Sequence, residues 1–308
     1  VNPKKMPNTL AHLGLSGLAT RGLCRDADLR WVYVGAIVPD LPWILQRALR
    51  FFFSALNPLD LRLYVIVQAT LVFSLILSAC FALLSSAPRK TFFILAFGVF
   101  FHLILDAFQI KWANGVHLLA PLDWDLFQLA LFWPESWPTY FVTGLGLSYV
   151  AFTWRKTISE PLPFSLSSAR RLYGALALFV VYLLLPFSLM DASEANDNHF
   201  VQTLRHLESR TGKPIAFDRA YYEHASPAGK LRISTGEKLD VVGLNVAYSA
   251  RVSVRGRFLD PKTIQVDAYH VHLPHFRDNA SYLGLGLIAL IWGWSGFCLW
   301  WPPKRRSG

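Results

Sequence analysis

The sequence predicts an α-helical polytopic membrane protein with a small inserted, OB-like β-barrel on the extracytoplasmic side. Three observations lead there. The 308-residue chain is 53% hydrophobic and only 16% charged, against about 25% charged residues in soluble domains. Five apolar stretches approach the ~20 residues that a membrane-crossing helix needs. Between the fourth and the fifth, the texture changes to alternating polar and apolar residues.

The first 60 residues admit several readings. "WVYVGAIVPDLPWILQRALRFFF" is apolar, but Pro39-Asp40-Leu41-Pro42 breaks it. Two half-helices, a re-entrant pair and an interfacial segment all remain open. Lys4 and Lys5 precede a short apolar stretch without a small-x-small cleavage site, so the N-terminus is read as part of the mature chain. The spans then expected are Leu63–Leu84, Thr91–Phe108, Thr139–Trp154, Leu172–Met190 and Tyr282–Trp301.

Basic clusters set the direction. Arg89 and Lys90 join the first two spans, Arg155, Lys156, Arg170 and Arg171 join the third and fourth, and Lys304–Arg306 follow the last. If the spans alternate, all three clusters fall on one side, which the positive-inside rule makes cytoplasmic. The loop Gln109–Pro138 and the block Asp191–Asp278 then face outward from the inner (plasma) membrane. That block holds 12 basic and 11 acidic residues, so most of the net charge of +10 flanks apolar segments. Such a distribution argues for topology signals and against a nucleic-acid surface. Cys24, Cys80 and Cys298 are far apart and form no metal or redox spacing.

Within the block, "NDNHFVQTLRHLES" reads as an amphipathic helix. "PIAFDRAYY", "KLRIST", "KLDVVGLNV", "ARVSVRGRFL" and "TIQVDAYHVHL" follow as five short strands separated by turn residues, which suits a small closed barrel. The domains are therefore residues 1–190 (helical membrane domain), 191–278 (extracytoplasmic barrel domain) and 279–308 (last span and basic cytoplasmic tail).

The chemistry centres on "FHLILDAFQ". His102 and Asp106 are four residues apart and share a helix face, inside a span where an ionisable group is costly and needs a partner. A divalent cation would be one such partner; a His–Asp hydrogen bond that only packs two helices is the other. His12 and Asp40, on the early apolar segments, and His117, after the second span, add further nitrogen and oxygen ligands. Asp123 and Asp125 in "LDWDLF" are candidate proton acceptors, and Lys111 could steady an anionic substrate.

The segments "MPNTLAHLG", "VGAIVPDLPW" and "FHLILDAFQIKWANGVHLLAPLDWDLF" resemble the YdjM-like family of inner-membrane-associated metal-dependent hydrolases. The resemblance covers roughly residues 6–130 and falls on His12, Pro39-Asp40, His102-Leu105-Asp106 and Gly115-Val116-Leu118-Pro121. The H-x-x-x-D helix is also similar, more distantly, to that of zinc-dependent phospholipase C. The family pattern has a second acid where Pro42 stands here, a threonine directly before the first histidine, where this chain has Thr9 three residues earlier, and histidines in a region where residues 41–101 have none. Four ligands carry over, His12, Asp40, His102 and Asp106, enough for one metal site. The family's association with a cytoplasmic repressor is not carried over, because the loop after the second span faces outward in this topology.

A second histidine group, His270, His272 and His275, ends the last strand; His270 and His272 share a face and read as barrel packing or as a second metal grip. Two functional readings follow. One is a membrane-bound metal-dependent hydrolase (zinc foremost, with manganese, iron or magnesium as alternatives) acting on a phosphoester or lipid-linked substrate at the outer face. The other is a non-catalytic membrane subunit whose residues 191–278 bind a protein partner. Membrane lipids are expected neighbours in both.

Overall fold

The computed structural model describes residues 8–53, 55–160, 163–165, 168–225, 229–274 and 276–300. His275 lies outside the described residues.

The open N-terminal region becomes the centre of the helical domain. Helix α1 (Thr9–Leu23) starts at Asn8, whose side chain accepts from the Ala11 amide. It is buried along most of its length between α2 (Leu29–Gly35), α6 (Pro88–Ala107), α7 (Trp137–Ser159) and α11 (Phe276–Trp300). Such closeness requires missing side chains. A Cβ on Gly14 would lie 2.0 Å from the Gly146 Cα of α7. The Pro39-Asp40 break is a turn of 3-10 helix, Val38–Asp40, and α3 (Leu41–Phe52) follows it, leaving Leu45, Phe51 and Phe52 exposed.

The first expected span is not one helix. It divides into α4 (Pro58–Gln68) and α5 (Leu71–Leu83), bent by 69°. Thr70 causes the break by capping α5: its hydroxyl donates to the Val67 carbonyl and accepts from the Phe73 amide. The Gln68 amide donates to the Tyr182 carbonyl on α8 (Ala169–Leu184).

Among the described residues, three segments are long and apolar enough to cross a membrane: Pro88–Ala107, Ala169–Ala195 and Arg277–Phe297, or four if the bent pair counts as one. The second includes α8, a 3-10 turn and α9 (Met190–Ala195). The third expected span does form a helix, α7, but falls outside that set. Its Thr139, Thr143, Thr153 and Thr157 are buried, and Thr143 accepts a short hydrogen bond from Asn8. Here α7 has a polar packing face where a lipid-facing span would be apolar.

At one end of the bundle the α5–α6 turn meets the α7–α8 connection, with Ser86 N donating to Pro163 O (2.9 Å) and Ser165 N to Leu84 O (3.0 Å). Two of the basic clusters expected on one side, Arg89–Lys90 and Arg155, Lys156, Arg170 and Arg171, thus share one end; Lys304–Arg306 lie outside the described residues. The opposite end carries the loop 108–136 and the barrel.

The five strands form where the alternation predicts them: β1 (Pro214–Glu223), β2 (Lys230–Arg232), β3 (Lys238–Val242), β4 (Ala250–Asp260) and β5 (Thr263–Val271). They close in the order β1-β2-β3-β5-β4, antiparallel except for β3–β5, around Ile215, Leu231, Val252, Phe258 and Ile264. The expected helix over 196–209 does not form as one piece. Asp197, His199 and Phe200 adopt left-handed conformations and divide it into a 3-10 turn, the short α10 (Val201–Arg205) and a second 3-10 turn. The Asp197 carboxylate holds this break by accepting from the amide and hydroxyl of Thr203.

Candidate metal centre

His102 is fixed by a close helix contact one turn before it. Gly98 and His102 share a face of α6, and a Cβ on Gly98 would lie 3.1 Å from the Gly35 Cα. The end of α2 therefore approaches α6, and the Ala36 carbonyl comes within 2.6 Å of His102 Nδ1. With Nδ1–H donated there, Nε2 presents a lone pair, the second-neighbour arrangement typical of a metal-binding histidine.

Three acceptors face that atom or one another. His102 Nε2 is 3.7 Å from Asp40 Oδ1 and 3.8 Å from Asp106 Oδ2. His12 Nε2 is 3.4 Å from Asp106 Oδ1, and its ring stacks on His102 at 4.1 Å. Ligands of a tetrahedral zinc ion, each ~2.0–2.1 Å from it, stand about 3.3 Å apart, so the spacing fits with small movements. His12, His102 and Asp106 form a group able to hold a metal ion. Among the described residues, Asp106 Oδ1 has no hydrogen-bond partner although buried, the nearest nitrogen being His12 Nε2 at 3.4 Å; a buried acceptor left so is costly unless a cation or solvent meets it. The residues present thus fit a divalent cation.

One protein cation is already close. Lys111, itself buried, has its ammonium 2.8 Å from Asp106 Oδ2. It engages one oxygen and leaves the other facing His12.

The remaining expected residues divide. Asp40 is buried beside His102 and lines a cavity of about 170 Å³ with His102, Asp106 and Lys111. His117 lines the same cavity but lies apart from the metal-capable group, with Nδ1 3.1 Å from the Trp124 carbonyl oxygen. Burial lowers its pKa to about 4, against the opposing pull of that carbonyl. Asp123 and Asp125 are exposed and do not line the cavity. Asp123 Oδ1 instead accepts from the Asp125 amide in a local turn (2.8 Å).

The second histidine group has an acid that the sequence did not point to. Glu135, from the loop before α7, joins His270 and His272. His272 Nδ1 is 2.8 Å from Glu135 Oε1, and His272 Nε2 is 2.7 Å from Ser253 Oγ, which donates to Asp218 Oδ1. The Ser–His–Glu succession has the order of a hydrolytic triad, but Ser253 is fully buried, accepts from the Arg219 amide and lies outside the cavity lining. Arg219 also donates a short hydrogen bond from its guanidinium to Glu135. A β-bulge at Asp218–Arg219, with Arg219 at φ 55°, turns both side chains toward this network. Burial pushes the Glu135 carboxyl up, but the two imidazoles and Arg219 outweigh it and hold it well below the usual carboxylate range. Burial, with help from the Arg219 charge, lowers the His272 pKa against the pull of the bonded Glu135 carboxylate.

Comparison of the chain with protein-family models, curated proteins and solved structures gives no match. The functional reading therefore rests on the residues themselves.

Proposed function

We propose that the protein is a membrane-bound metal-dependent hydrolase whose cation is held by His12, His102 and Asp106. The observation that carries this reading is the convergence of buried acceptors on one point, with His102 Nδ1 already committed to the Ala36 carbonyl. Three protein ligands leave a position open, as catalytic metal sites require. A divalent cation there, zinc foremost, would supply Lewis acidity, bringing the pKa of a water toward about 7 and polarising a phosphoryl or acyl oxygen. Asp40, buried beside His102, takes the proton from the attacking water. Lys111 pairs with the second oxygen of Asp106.

The reading agrees with the resemblance of residues 6–130 to the YdjM-like hydrolases. It also agrees with a multi-pass chain in the inner membrane, the basic end cytoplasmic and the 108–136 loop and OB-like barrel outside. His102 and Asp106 lie in the last six residues of α6, at the barrel end. A substrate at the outer headgroup level would reach them.

The test is metal content by elemental mass spectrometry of untagged protein in detergent. Wild type should carry near-stoichiometric zinc, manganese or iron, and His102→Ala and Asp106→Asn should lose it; a phosphoesterase screen follows from that result. Metal-free wild type that remains folded would defeat the reading.

One observation favours a second reading. Lys111 neutralises Asp106 without any metal. In a non-catalytic subunit the cluster would be an ion-paired packing element and the barrel domain, residues 191–278, would bind a partner protein. Metal-free, folded protein supports it.

A further inference from the structure

The cavity beside the candidate metal centre is lined by residues of both domains, and its charge is lopsided. Seven arginines and Lys111 face it, against Asp40, Asp106 and Asp218. Several of these cations are engaged within the protein. Arg50 donates to the Ser234 carbonyl, Arg219 binds Glu135, and Arg62 reaches His199 Nδ1.

Arg277 differs. It is 3% exposed, yet its Nε and Nη1 have no hydrogen-bond partner, and it forms no ion pair within 4.0 Å among the described residues. A buried guanidinium in this condition costs several kcal/mol unless an anion meets it. Its place adds to the mismatch: Arg277 stands in the first turn of the 25-residue α11, where the helix dipole already favours negative charge. Arg62 Nε is likewise buried without a partner, and Arg47 forms no ion pair among the described residues while lining the same cavity.

We propose that this cavity is an anion site that receives a phosphate group, with Arg277 as its anchor and Arg47 and Arg62 beside it. Guanidinium groups bind phosphate oxygens in pairs, and the volume, room for roughly a dozen waters at 10–15 Å³ each, admits a phosphate with part of what it is attached to. The site is continuous with His102, Asp106 and Lys111, so a phosphoester anchored at Arg277 would have a neighbouring bond within reach of the candidate metal centre. Only that last step, that the ligand is a substrate, rests on the hydrolase reading; the anion site stands on Arg277.

The experiment uses the full chain in neutral detergent and reads binding by calorimetry and thermal shift. The probes are inorganic phosphate, pyrophosphate and dioctanoyl phosphatidic acid, with acetate as a non-phosphate anion. Wild type should bind at least one phosphate probe and not acetate; Arg277→Gln should weaken that binding at least tenfold, and Arg47→Gln by less. Binding confined to the lipid probe would identify a headgroup site, and binding of free phosphate or pyrophosphate a soluble ligand. In phosphate-free buffer Arg277→Gln should melt no lower than wild type, because it removes an unpaired charge. Absence of phosphate binding in wild type, or equal binding in Arg277→Gln and Arg47→Gln, would overturn the proposal. Phosphate binding that persists in metal-free His102→Ala sustains the anion site whatever becomes of the hydrolase reading. Metal binding without phosphate binding does the reverse.

Discussion

Two clusters in this molecule are built from the same parts, two histidines and one carboxylate, and differ in what already stands among them. At Glu135, His270 and His272, the Arg219 guanidinium bonds the carboxylate and faces His272 Nδ1 at 3.1 Å. That cation, supplied by the chain itself, occupies Glu135 Oε1 and His272 Nδ1, while Glu135 Oε2 and His270 Nε2, 3.7 Å apart, have no hydrogen-bond partner among the described residues. At His12, His102 and Asp106, Lys111 satisfies one oxygen, and Asp106 Oδ1, facing His12 Nε2 at 3.4 Å, has no hydrogen-bond partner among them. Both clusters keep a carboxylate oxygen without a hydrogen-bond partner, so closeness of ligand-type residues is a weak sign of a metal, and which ligand atoms the chain's own cation already occupies is the stronger one.

The largest effect should separate the clusters outright. His102→Ala or Asp106→Asn should take metal content from near one equivalent to near zero, while Glu135→Gln and His272→Ala should leave it unchanged. Metal lost from the second pair instead would invert the comparison.

The next effect is on stability and runs the other way. Arg219 and Glu135 are both buried, with side chains 1% and 5% exposed. Removing one member of such a pair leaves an uncompensated charge, at a cost of about 3–5 kcal/mol. Glu135→Gln should therefore lower the unfolding midpoint sharply. In metal-free protein His12→Gln should change it far less, since His12 Nδ1 has no partner to lose among the described residues and Nε2, 3.4 Å from Asp106 Oδ1, stands beyond a normal hydrogen bond. Comparable losses from both would show the first cluster to be an ion-paired packing element too.

The helix spacing of His102 and Asp106 was legible in the sequence because i and i+4 fall on one face whatever the tertiary fold. His12 and Asp40 were named from their residue type and the resemblance and not from spacing, because their approach to His102 depends on helix contacts such as Gly35–Gly98, which no local pattern announces. All five strands followed from period-two alternation. The bend at Ala69–Thr70 did not, because hydropathy is continuous through "VIVQATLVF" and only the capping threonine marks it. Glu135 was missed for a different reason: it is more than 130 residues from its histidines. The one available signal was an acid isolated between prolines in "WPESWP". The amphipathic pattern of 196–209 was real but lost to the left-handed Asp197–Phe200 turn, which brings His199 to the cavity.

A smaller effect concerns proton uptake. His117 is buried in the wall of the same cavity, apart from the first cluster, with its pKa lowered to about 4 from 6.5. Because the folded value is depressed, its contribution is complete above pH 6.5 and is lost as pH falls from 6.5 toward 4. The shift corresponds to on the order of 3 kcal/mol. Wild type should lose stability over that window more steeply than His117→Gln, measured by denaturant midpoints. Parallel pH profiles would mean that His117 is hydrated when folded.

The smallest effect tests the residues that sequence alone proposed as proton acceptors. Asp123 is exposed, and its carboxylate is occupied by the Asp125 amide two residues on. Losing such a local turn bond costs about 0.5–1.5 kcal/mol. Asp123→Ala should show that loss at most, Asp125→Ala less, and neither should alter metal content. Asp40→Asn is the informative contrast, because Asp40 is buried, lines the cavity and faces His102 Nε2 at 3.7 Å. On a phosphoester that wild type hydrolyses, it should reduce turnover at least 100-fold, by general-base catalysis, while most of the metal remains bound. If Asp123→Ala reduced turnover and Asp40→Asn did not, the proton would leave by way of the loop, and the cavity would lose its claim to be where the chemistry occurs.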